Sequence, residues 1–446
     1  MSAGGGKPRL LLIGWLSPGS GVTRVLTNLA AAIADQYNIH VLALGAAPQA
    51  KLALPSIECS VWPFNTTAPQ IEAGFPALLA RLRPEIVLVL GPPPWAAPLL
   101  WATRRIRPQS RIVIFSGVEG SLANGEWLRP LAAVDDCILL TEHVRRDIVR
   151  HAAAAAPRRL PRLHVLPYGV DTAVFRPLAP AGAGSSEAWR AVLRRELFPG
   201  RAELADAFIV LNPNLLYRRK RLDLTIRGVA LFARDKPPNV YLYLHQPRLD
   251  RHRRAQLEAA ARSELGDRLL FNLLNPDGEV LPEETLNRLY NACDLGLTTA
   301  MGEGWGLTVF EHAATGAGQL VPDHSTFREN WAGAAEFVDA PGREHAFHEH
   351  ADMHVVESAE VARSSRGFMR TPPGAAGWAS SPMSARPPRA TFGAPSGTVC
   401  TRSYKRAAPQ RRSASFEAPR LAVAPIPAGR RIARGLPQLL EVGPPG

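Results

Sequence analysis

The chain has 446 residues, a net charge of +13 and 46% hydrophobic residues, as expected for a globular protein of two or three domains. The segment 364–446 carries 13 Lys/Arg against 2 Glu, so the remainder is nearly neutral and a nucleic-acid partner is not expected. Four scattered cysteines argue against a disulfide framework and a zinc site, and they favour a reducing, cytoplasmic location. No apolar run reaches the ~20 residues of a membrane helix.

The first part of the chain alternates strand-like and helix-like segments. An apolar run at 9–15 precedes a loop and a helical pattern up to about residue 37, and NIHVLAL at 38–44 is again strand-like. The first run lacks a small-residue cleavage site, so it is interpreted as a buried strand and not as a signal peptide. Further strand-like runs follow at 57–62, 85–90, 111–116 and 136–141. This alternation predicts a mostly parallel sheet with helices on both faces.

Proline and glycine interrupt the pattern at 163–177, and the alternation restarts at residue 208. We therefore place a boundary between a domain 1–165 and a domain 166–362. The second unit has strand patterns at 208–212, 239–245, 268–274, 294–299, 319–322 and 335–339, and helical patterns at 222–233, 251–265 and 285–292. Two doubly wound, Rossmann-like α/β domains with a cleft between them would bring loops from both sheets to one site.

The composition changes again at residue 363. Prolines, arginines, serines and alanines dominate from there, so the segment 363–446 is expected to be a disordered tail. VVESAEVAR, at 355–363, is typical of a helix start, and SSRGFMRTPPG is not expected to continue that helix. Two explanations stay open: an out-of-frame C-terminus, or a basic tail that contacts nucleic acid or, as a peripheral membrane contact, anionic lipid.

The stretch GEGWGLTVFEHAATG, at 302–316, contains two glutamates in a distinctive setting. Glu303 lies in a glycine-rich turn after a strand, and Glu311 lies one turn into the helix that follows. Glycines let a ligand approach the backbone, and the amides of a helix start attract an anion. A carboxylate beside a phosphate site can accept hydrogen bonds from ribose hydroxyls. The spacing predicts an elongated ligand made of sugar, diphosphate, ribose and base.

A basic segment and a glycine-containing loop complete the candidate site. Arg218, Arg219 and Lys220 lie between a strand and a helix, where fixed cations could stabilise a departing diphosphate. SPGSGVTR, at 17–24, offers Gly21 to a ligand across the cleft. Because position 24 is Arg24, the loop is not a G-x-G-x-x-G fingerprint, and no acidic residue follows at the usual distance, which argues against a dehydrogenase.

These residues resemble a known family. EGWGLTVFE, with EHAATG and QLVPDHS behind it, is similar to the donor-site signature of retaining glycosyltransferase family 4, which has the GT-B fold. VLPYGVDTAVFRP resembles the entry of that family into its second domain, and the resemblance covers about 10–362. It implies transfer of a sugar from a UDP- or GDP-sugar co-substrate to an acceptor, with no bound metal and no other cofactor. The sugar, the acceptor and the oligomeric state stay open.

The resemblance also implies roles for individual residues. Glu311 would bind the ribose hydroxyls, and Glu303 would touch the donor sugar. The turn and the helix start that would bind the diphosphate comprise Gly304, Gly306, Leu307 and Thr308. Lys220 matches the lysine of the family.

Two positions depart from the family pattern. Leu215 stands where relatives carry an arginine, so Arg218 or Arg219 would have to reach the diphosphate. Glu119 lies near the position of a histidine in many relatives and is a candidate beside the reacting sugar. The departure at Leu215 and the unusual tail also fit a degraded relative that only binds nucleotide or a partner, and a sugar-nucleotide epimerase on the same fold is a third alternative.

Overall fold

The computed structural model describes residues 6–16, 20–44, 60–64, 68–155, 160–178, 186–346 and 350–370. Within these ranges the chain forms two parallel sheets flanked by helices, and a small antiparallel sheet joins them. The α/β class and the two doubly wound units expected from the alternating pattern are thereby confirmed.

The first sheet has seven strands. Its domain comprises β1 (Arg9–Trp15), α1 (Gly21–Ile33), β2 (Asn38–Leu44), β3 (Ser60–Phe64), α2 (Ala68–Leu82), β4 (Ile86–Leu90), α3 (Pro93–Ile106), β5 (Arg111–Ser116), β6 (Ser121–Leu122), β7 (Asp136–Leu139), α4 (Glu142–Ala155) and β8 (Arg162–Val165). The parallel strand order is β3-β2-β1-β4-β5-β7-β8. Leu11, Leu12 and Ile13 are fully buried in the central strand, because helices cover both faces of a parallel sheet.

The second sheet has six strands. Its domain comprises α5 (Ser186–Leu197), β9 (Phe208–Asn212), α6 (Leu222–Ala233), β10 (Val240–Leu244), α7 (Arg251–Leu265), β11 (Leu269–Phe271), α8 (Glu283–Ala292), β12 (Leu295–Leu297), α9 (Leu307–Ala313), β13 (Gly318–Pro322), α10 (Ser325–Trp331), β14 (Glu336–Val338), β15 (Gly342–Ala346), β16 (Ala351–Val355) and α11 (Ser358–Arg370). The parallel strand order is β11-β10-β9-β12-β13-β14. The bounds expected for β9, α6 and α7 are confirmed.

Apolar packing and a small sheet connect the two domains. Trp305, Phe310 and Trp331 of the second domain share one buried cluster with Phe115 and Leu140 of the first. The rings of Trp305 and Phe310 stack with centroids 4.8 Å apart. β15 and β16 form an antiparallel hairpin, and β16 also pairs antiparallel with β6 of the first domain. The polar sequence of this segment did not indicate the hairpin. These contacts fix how the loops of one domain face those of the other.

The expectation of disorder from residue 363 does not hold for 364–370, because α11 continues to Arg370. Val361, Ser365 and Phe368 recur at helical spacing and are buried. The Phe368 ring lies so close to Gly318 that a side chain at Gly318 would clash with it. The continuous apolar face therefore holds the helix on the second domain. The remainder of the expected tail, 371–446, lies outside the described residues.

Candidate functional site

Two loops of the second domain meet where its strand order reverses. The chain winds outward from β9 through β10 to β11, and then β12 is added on the other side of β9. Ligands of such α/β sheets bind outside the carboxyl ends of the strands at this switch point. A 3₁₀ turn at Arg218–Lys220 follows β9, and the N–H of Met301, after β12, donates to the Arg219 carbonyl at 2.7 Å. The basic turn and the glycine-rich turn thus form one site.

Four charged side chains meet there, and we call them the charged cluster: Glu119, Arg219, Lys220 and Glu303. The Nζ of Lys220 contacts Oε1 of Glu303, and Nη1 of Arg219 lies 3.1 Å from Oε2 of the same carboxylate. The Arg219 guanidinium also reaches the first domain, where its Nη2 lies 2.6 Å from Oε1 of Glu119. The structure therefore brings together all three residues that the sequence marked as catalytic candidates.

Burial makes the charges of the cluster depend on one another. The side chains of Lys220 and Glu303 are 10% and 8% exposed. Burial lowers the pKa of Lys220 below its ordinary value, and the adjacent Arg219 guanidinium lowers that pKa further. An isolated buried ion carries a desolvation penalty on the order of several kcal/mol. Contact with the Glu303 carboxylate compensates the Lys220 ammonium, so removal of Glu303 leaves the lysine uncompensated, whereas Glu303 also has Arg219 as a partner.

A chain of buried polar side chains fixes the basic turn. The Thr299 hydroxyl lies 3.1 Å from the carbonyl oxygen of Lys220 and 2.8 Å from that of Arg221. Thr225 lies 2.7 Å from Thr299, and Asn212 donates to Thr225 at 2.8 Å. Arg221 has a φ of 46°, which turns the chain into α6. Groups on β9, on α6 and after β12 therefore set the position of the lysine.

The glycine-rich turns of the two domains touch through their backbones. A Cβ on Gly117 would lie 3.0 Å from the Cα of Gly304. A Cβ on Gly302 would clash with the carbonyl oxygen of Glu119. Real side chains do not tolerate such approaches, whereas glycine does. Gly304, a predicted donor-site residue, therefore lies at the domain interface beside the charged cluster.

The helix expected after the glycine-rich turn begins at Leu307. Gly306 precedes it with a φ of 92°, a left-handed conformation that favours glycine. Gly21 of the first domain packs on this helix start, since a Cβ on Gly21 would lie 2.8 Å from Cδ1 of Leu307. Thr308 follows in the first turn and is half-buried. Contact of these amides with a diphosphate stays a prediction, and Gly19, in the same loop as Gly21, lies outside the described residues.

Glu311 belongs to a second, separate ionic contact. Its buried carboxylate contacts Nη1 of Arg24 through Oε1, and Nε of the same arginine lies 2.6 Å from Oε1 of Glu283. The Tyr290 hydroxyl lies 3.4 Å from Oε2 of Glu311. Burial raises the pKa of Glu311 to about 7. The pairing with Arg24 spans 287 residues, a separation that leaves no signal in a single sequence.

Arg218, in contrast, does not join the charged cluster. Its guanidinium contacts Glu344 on β15, and the side chain is 55% exposed. Arg219, the next residue in the same 3₁₀ turn, instead contacts Glu119 and Glu303. Arg219 therefore lies inside the cluster while Arg218 lies outside it. Arg219 contributes a guanidinium to the site even though Leu215 replaces the arginine that the family resemblance implies.

The cleft expected between the domains is present. A cavity of about 1280 Å³ opens beside Trp305, lined by His143 and Arg146 of the first domain and by His324 and Arg343 of the second, among others. Small-molecule sites have volumes of roughly 300–1,000 Å³, so this cavity is large enough for a ligand of that class, but neither the charged cluster nor Glu311 is among the residues that line it. In the part of the chain that the structure describes, no group of side chains could bind a metal ion. No helix within the described ranges is both long and apolar enough to cross a bilayer.

No protein-family model and no curated protein matches the chain. Solved structures do match it. The E. coli trehalose-6-phosphate synthase bound with UDP-2-fluoro glucose superposes with a TM-score of 0.57 at 15% identity, over 81% of this chain and 91% of that one. The sucrose-phosphate synthase of Thermosynechococcus elongatus gives a TM-score of 0.59 at 16% identity, over 82% and 90%. The chain has the GT-B fold.

A third GT-B structure holds a different molecule. The trehalose-phosphate synthase of Burkholderia xenovorans, in complex with glucose-6-phosphate, matches with a TM-score of 0.56 at 12% identity, over 82% of this chain and 93% of that one. At such low identity the similarity establishes the fold alone. The GT-B architecture implied by the sequence resemblance is thus confirmed, whereas membership of family 4 stays a prediction.

Proposed function

We propose that this GT-B protein is a cytoplasmic, retaining glycosyltransferase that transfers a sugar from a nucleoside-diphosphate sugar to an acceptor. The observation that carries the proposal is the charged cluster at the switch point between β9 and β12. A similarly folded synthase was solved with UDP-2-fluoro glucose and another with glucose-6-phosphate, which supports a donor and an acceptor of those classes. We propose a UDP- or GDP-sugar as the donor, and the acceptor is left unassigned.

The cations of the cluster suit a diphosphate. Arg219 and Lys220 already bind carboxylate oxygens, and phosphate oxygens are acceptors of the same charged kind. As the bond between the anomeric carbon and the phosphate oxygen breaks, negative charge develops on the diphosphate. A positioned donor at such an oxyanion stabilises the transition state by ~2.7–4 kcal/mol. Retention follows if the acceptor oxygen bonds to the same face of the sugar while its proton passes to the departing phosphate oxygen.

The carboxylates have separate roles in this proposal. Glu303 contacts both cations of the second domain, and it orients them while its other lone pairs remain for sugar hydroxyls. Glu119 approaches from the first domain, so it lies on the side from which the acceptor would arrive. Glu311 accepts hydrogen bonds from the ribose. Alignment of the two substrates by the closed domains then lowers the entropic part of the barrier.

A nucleotide-binding protein without catalysis is the second candidate. It is favoured by the fact that Lys220 and Arg219 are already neutralised by carboxylates of the chain itself. It is also favoured by Leu215, which stands where the family resemblance implies an arginine. Arg219 weighs against this candidate, because its guanidinium occupies the cluster.

Turnover of purified protein with a panel of UDP-, GDP- and ADP-sugars tests the proposal. One donor is expected to be hydrolysed or transferred, and Lys220→Ala and Arg219→Gln are expected to remove most of that activity. Arg218→Gln is the matched control, because it changes the adjacent arginine outside the cluster. Nucleotide binding without turnover would favour the second candidate. Equal losses in both arginine variants would contradict the role given to the cluster.

A further inference from the structure

An ion pair between the domains joins Arg24 to the nucleotide end of the site. Arg24 lies in the first turn of α1, and its guanidinium is shared between Glu311 on α9 and Glu283 at the start of α8. The Cζ of the Arg24 guanidinium lies 5.5 Å from the centre of the Phe175 ring, within the range of a cation–π contact. The side chain is 25% exposed. Contacts with three residues hold it in one place, unlike a freely solvated surface arginine.

We propose that Arg24 is a positioning residue through which domain contact prepares the nucleotide site, by providing the counter-charge that favours the ionised form of Glu311 for the ribose hydroxyls. This inference rests on the proposed function. A carboxylate can accept about four hydrogen bonds. Arg24 contacts Oε1, and among the described residues the polar neighbour of Oε2 is the Tyr290 hydroxyl, at a long 3.4 Å. The buried Oε2 therefore keeps unused hydrogen-bonding capacity while the arginine stays bound.

The groups around Glu311 shift its pKa in opposite directions. Burial raises the pKa of Glu311 to about 7; Arg24 opposes this rise, and Glu283 adds to it. Tyr290, on α8, is neutral because burial raises the pKa of its hydroxyl. His312, on the same helix as Glu311, is neutral because burial lowers its pKa to about 3. The described strands β12 and β13, which also pack on α9, contribute no titratable side chain.

Arg24 and Glu311 belong to different domains, so the contact between the domains affects the charge of Glu311. Arg24 belongs to the first domain, whereas Glu311, Glu283 and Tyr290 belong to the second. If the domains separate, Glu311 keeps the packing of α8, β12 and β13 of its own domain and its acidic neighbour Glu283, but it loses the cation. A carboxyl group in such surroundings favours its protonated form at neutral pH. Closure would therefore raise the ionised fraction of Glu311 near neutral pH, at the place where ribose hydroxyls need an acceptor in the proposed function.

Titration of Glu311 in the full chain tests the counter-charge directly. Carboxyl-¹³C glutamate NMR follows the group, and Glu311→Gln assigns its signal. Arg24→Gln is expected to raise the pKa of Glu311 by about one unit or more, as loss of an adjacent opposite charge does. Glu283→Gln is expected to lower it. Glu284→Gln, which removes the same charge one position along α8, is the matched control and is expected to leave the titration unchanged.

Calorimetry with UDP and with GDP then connects the charge to binding. Arg24→Gln is expected to weaken binding of the recognised nucleotide by about fivefold or more near pH 7, and the difference is expected to shrink at pH 9, where Glu311 ionises in both proteins. A loss that is the same at every pH would overturn the inference, because it would indicate a packing role. So would shifts of the Glu311 titration in the same direction for Arg24→Gln and Glu283→Gln.

The NMR titration and the calorimetry test different parts of the inference. If wild-type protein binds neither UDP nor GDP, the proposed function fails, whereas the NMR titration still decides whether Arg24 sets the charge of Glu311. If Arg24→Gln does not fold, Arg24→Lys keeps the positive charge at this position and is expected to shift the titration less. Glu283→Gln leaves the arginine in place, and an upward shift or no shift of the Glu311 titration in that variant would overturn the inference by itself.

Discussion

The two glutamates of the 302–316 segment lie in contrasting electrostatic surroundings. Glu303 receives Lys220 and Arg219 from a loop of its own domain. Glu311 receives Arg24 from the other domain. The difference indicates that the cations around Glu303 are supplied within the second domain, whereas the cation at Glu311 is supplied across the contact between the domains. One segment thus combines a locally determined cluster with a contact that closure completes.

The largest expected effect comes from breaking the local pair. Glu303→Gln leaves the Lys220 ammonium buried without its carboxylate partner, and loss of one partner of a buried pair costs about 3–5 kcal/mol of unfolding free energy. Urea denaturation measures this loss. The double variant Lys220→Met with Glu303→Gln removes both charges and should recover much of the stability. A double variant as unstable as the single one would show that the two charges do not compensate each other.

The second prediction compares neighbouring arginines. Arg219→Gln removes a guanidinium that contacts Glu303 and Glu119, and kcat/KM is expected to fall by about 10²-fold or more, as for other lost transition-state donors. Arg218→Gln removes a contact with Glu344 outside the cluster and is expected to change kcat/KM by less than about threefold. Steady-state kinetics with the active donor sugar compares the two variants. A larger loss for Arg218→Gln would place the diphosphate on the other side of the turn.

The third prediction concerns pH and the contact between domains. Because the folded pKa of Glu311 is about 7, raised from 4.5, the folded protein holds a proton there that the unfolded chain has already lost. Stability therefore falls as pH rises from about 4.5 to 7, by roughly 2–3 kcal/mol at most. Chemical denaturation of wild type and Glu311→Gln over this window isolates the contribution. Parallel stability curves for the two proteins would contradict the raised pKa.

The fourth prediction disturbs the backbone contact next to Glu303. A methyl group on Gly302 would clash with the carbonyl oxygen of Glu119 in the first domain. The loops must then separate, and Gly302→Ala is expected to destabilise the protein by about 1–3 kcal/mol, as overpacking does. Differential scanning calorimetry measures the effect. An unchanged Tm would mean that the two loops do not touch as described.

The smallest expected effect lies in α11. Gly367 is inside this helix, and a Cβ there would meet no atom within 4 Å. Gly367→Ala should therefore raise the unfolding free energy by about 0.5–1 kcal/mol, because glycine is a poor helix former. Denaturant titration checks the sign. Destabilisation by alanine would indicate that 364–370 is not helical, contrary to the structure.

The sequence predicted those parts of the fold in which local pattern and tertiary structure agree. The apolar runs at Phe208–Asn212 and Arg111–Ser116 match buried strands, because parallel strands covered on both faces need continuous apolar residues. It did not indicate β15 and β16, whose residues include charged side chains and histidines. Those strands depend on pairing with each other and with β6, which is non-local. At α11 the proline- and arginine-rich region that follows concealed a regular apolar face.

The sequence predicted which residues form the candidate site, but it predicted only part of how they are arranged. The turn and helix around Glu303 and Glu311 follow from glycine placement and apolar spacing within a few residues. The choice of Arg219 over Arg218 depends on how a 3₁₀ turn orients each side chain. The pairing of Arg24 with Glu311 depends on how the two domains meet. Neither relation is encoded by spacing along the chain, so a structure was required to find them.

A structure of the protein in complex with UDP or GDP, whichever calorimetry shows to bind, would locate the diphosphate and the ribose. We expect diphosphate oxygens within hydrogen-bond distance of Lys220 Nζ and the Arg219 guanidinium, with ribose hydroxyls on the Glu311 carboxylate. A diphosphate bound elsewhere, with Lys220 still paired to Glu303 alone, would contradict this expectation.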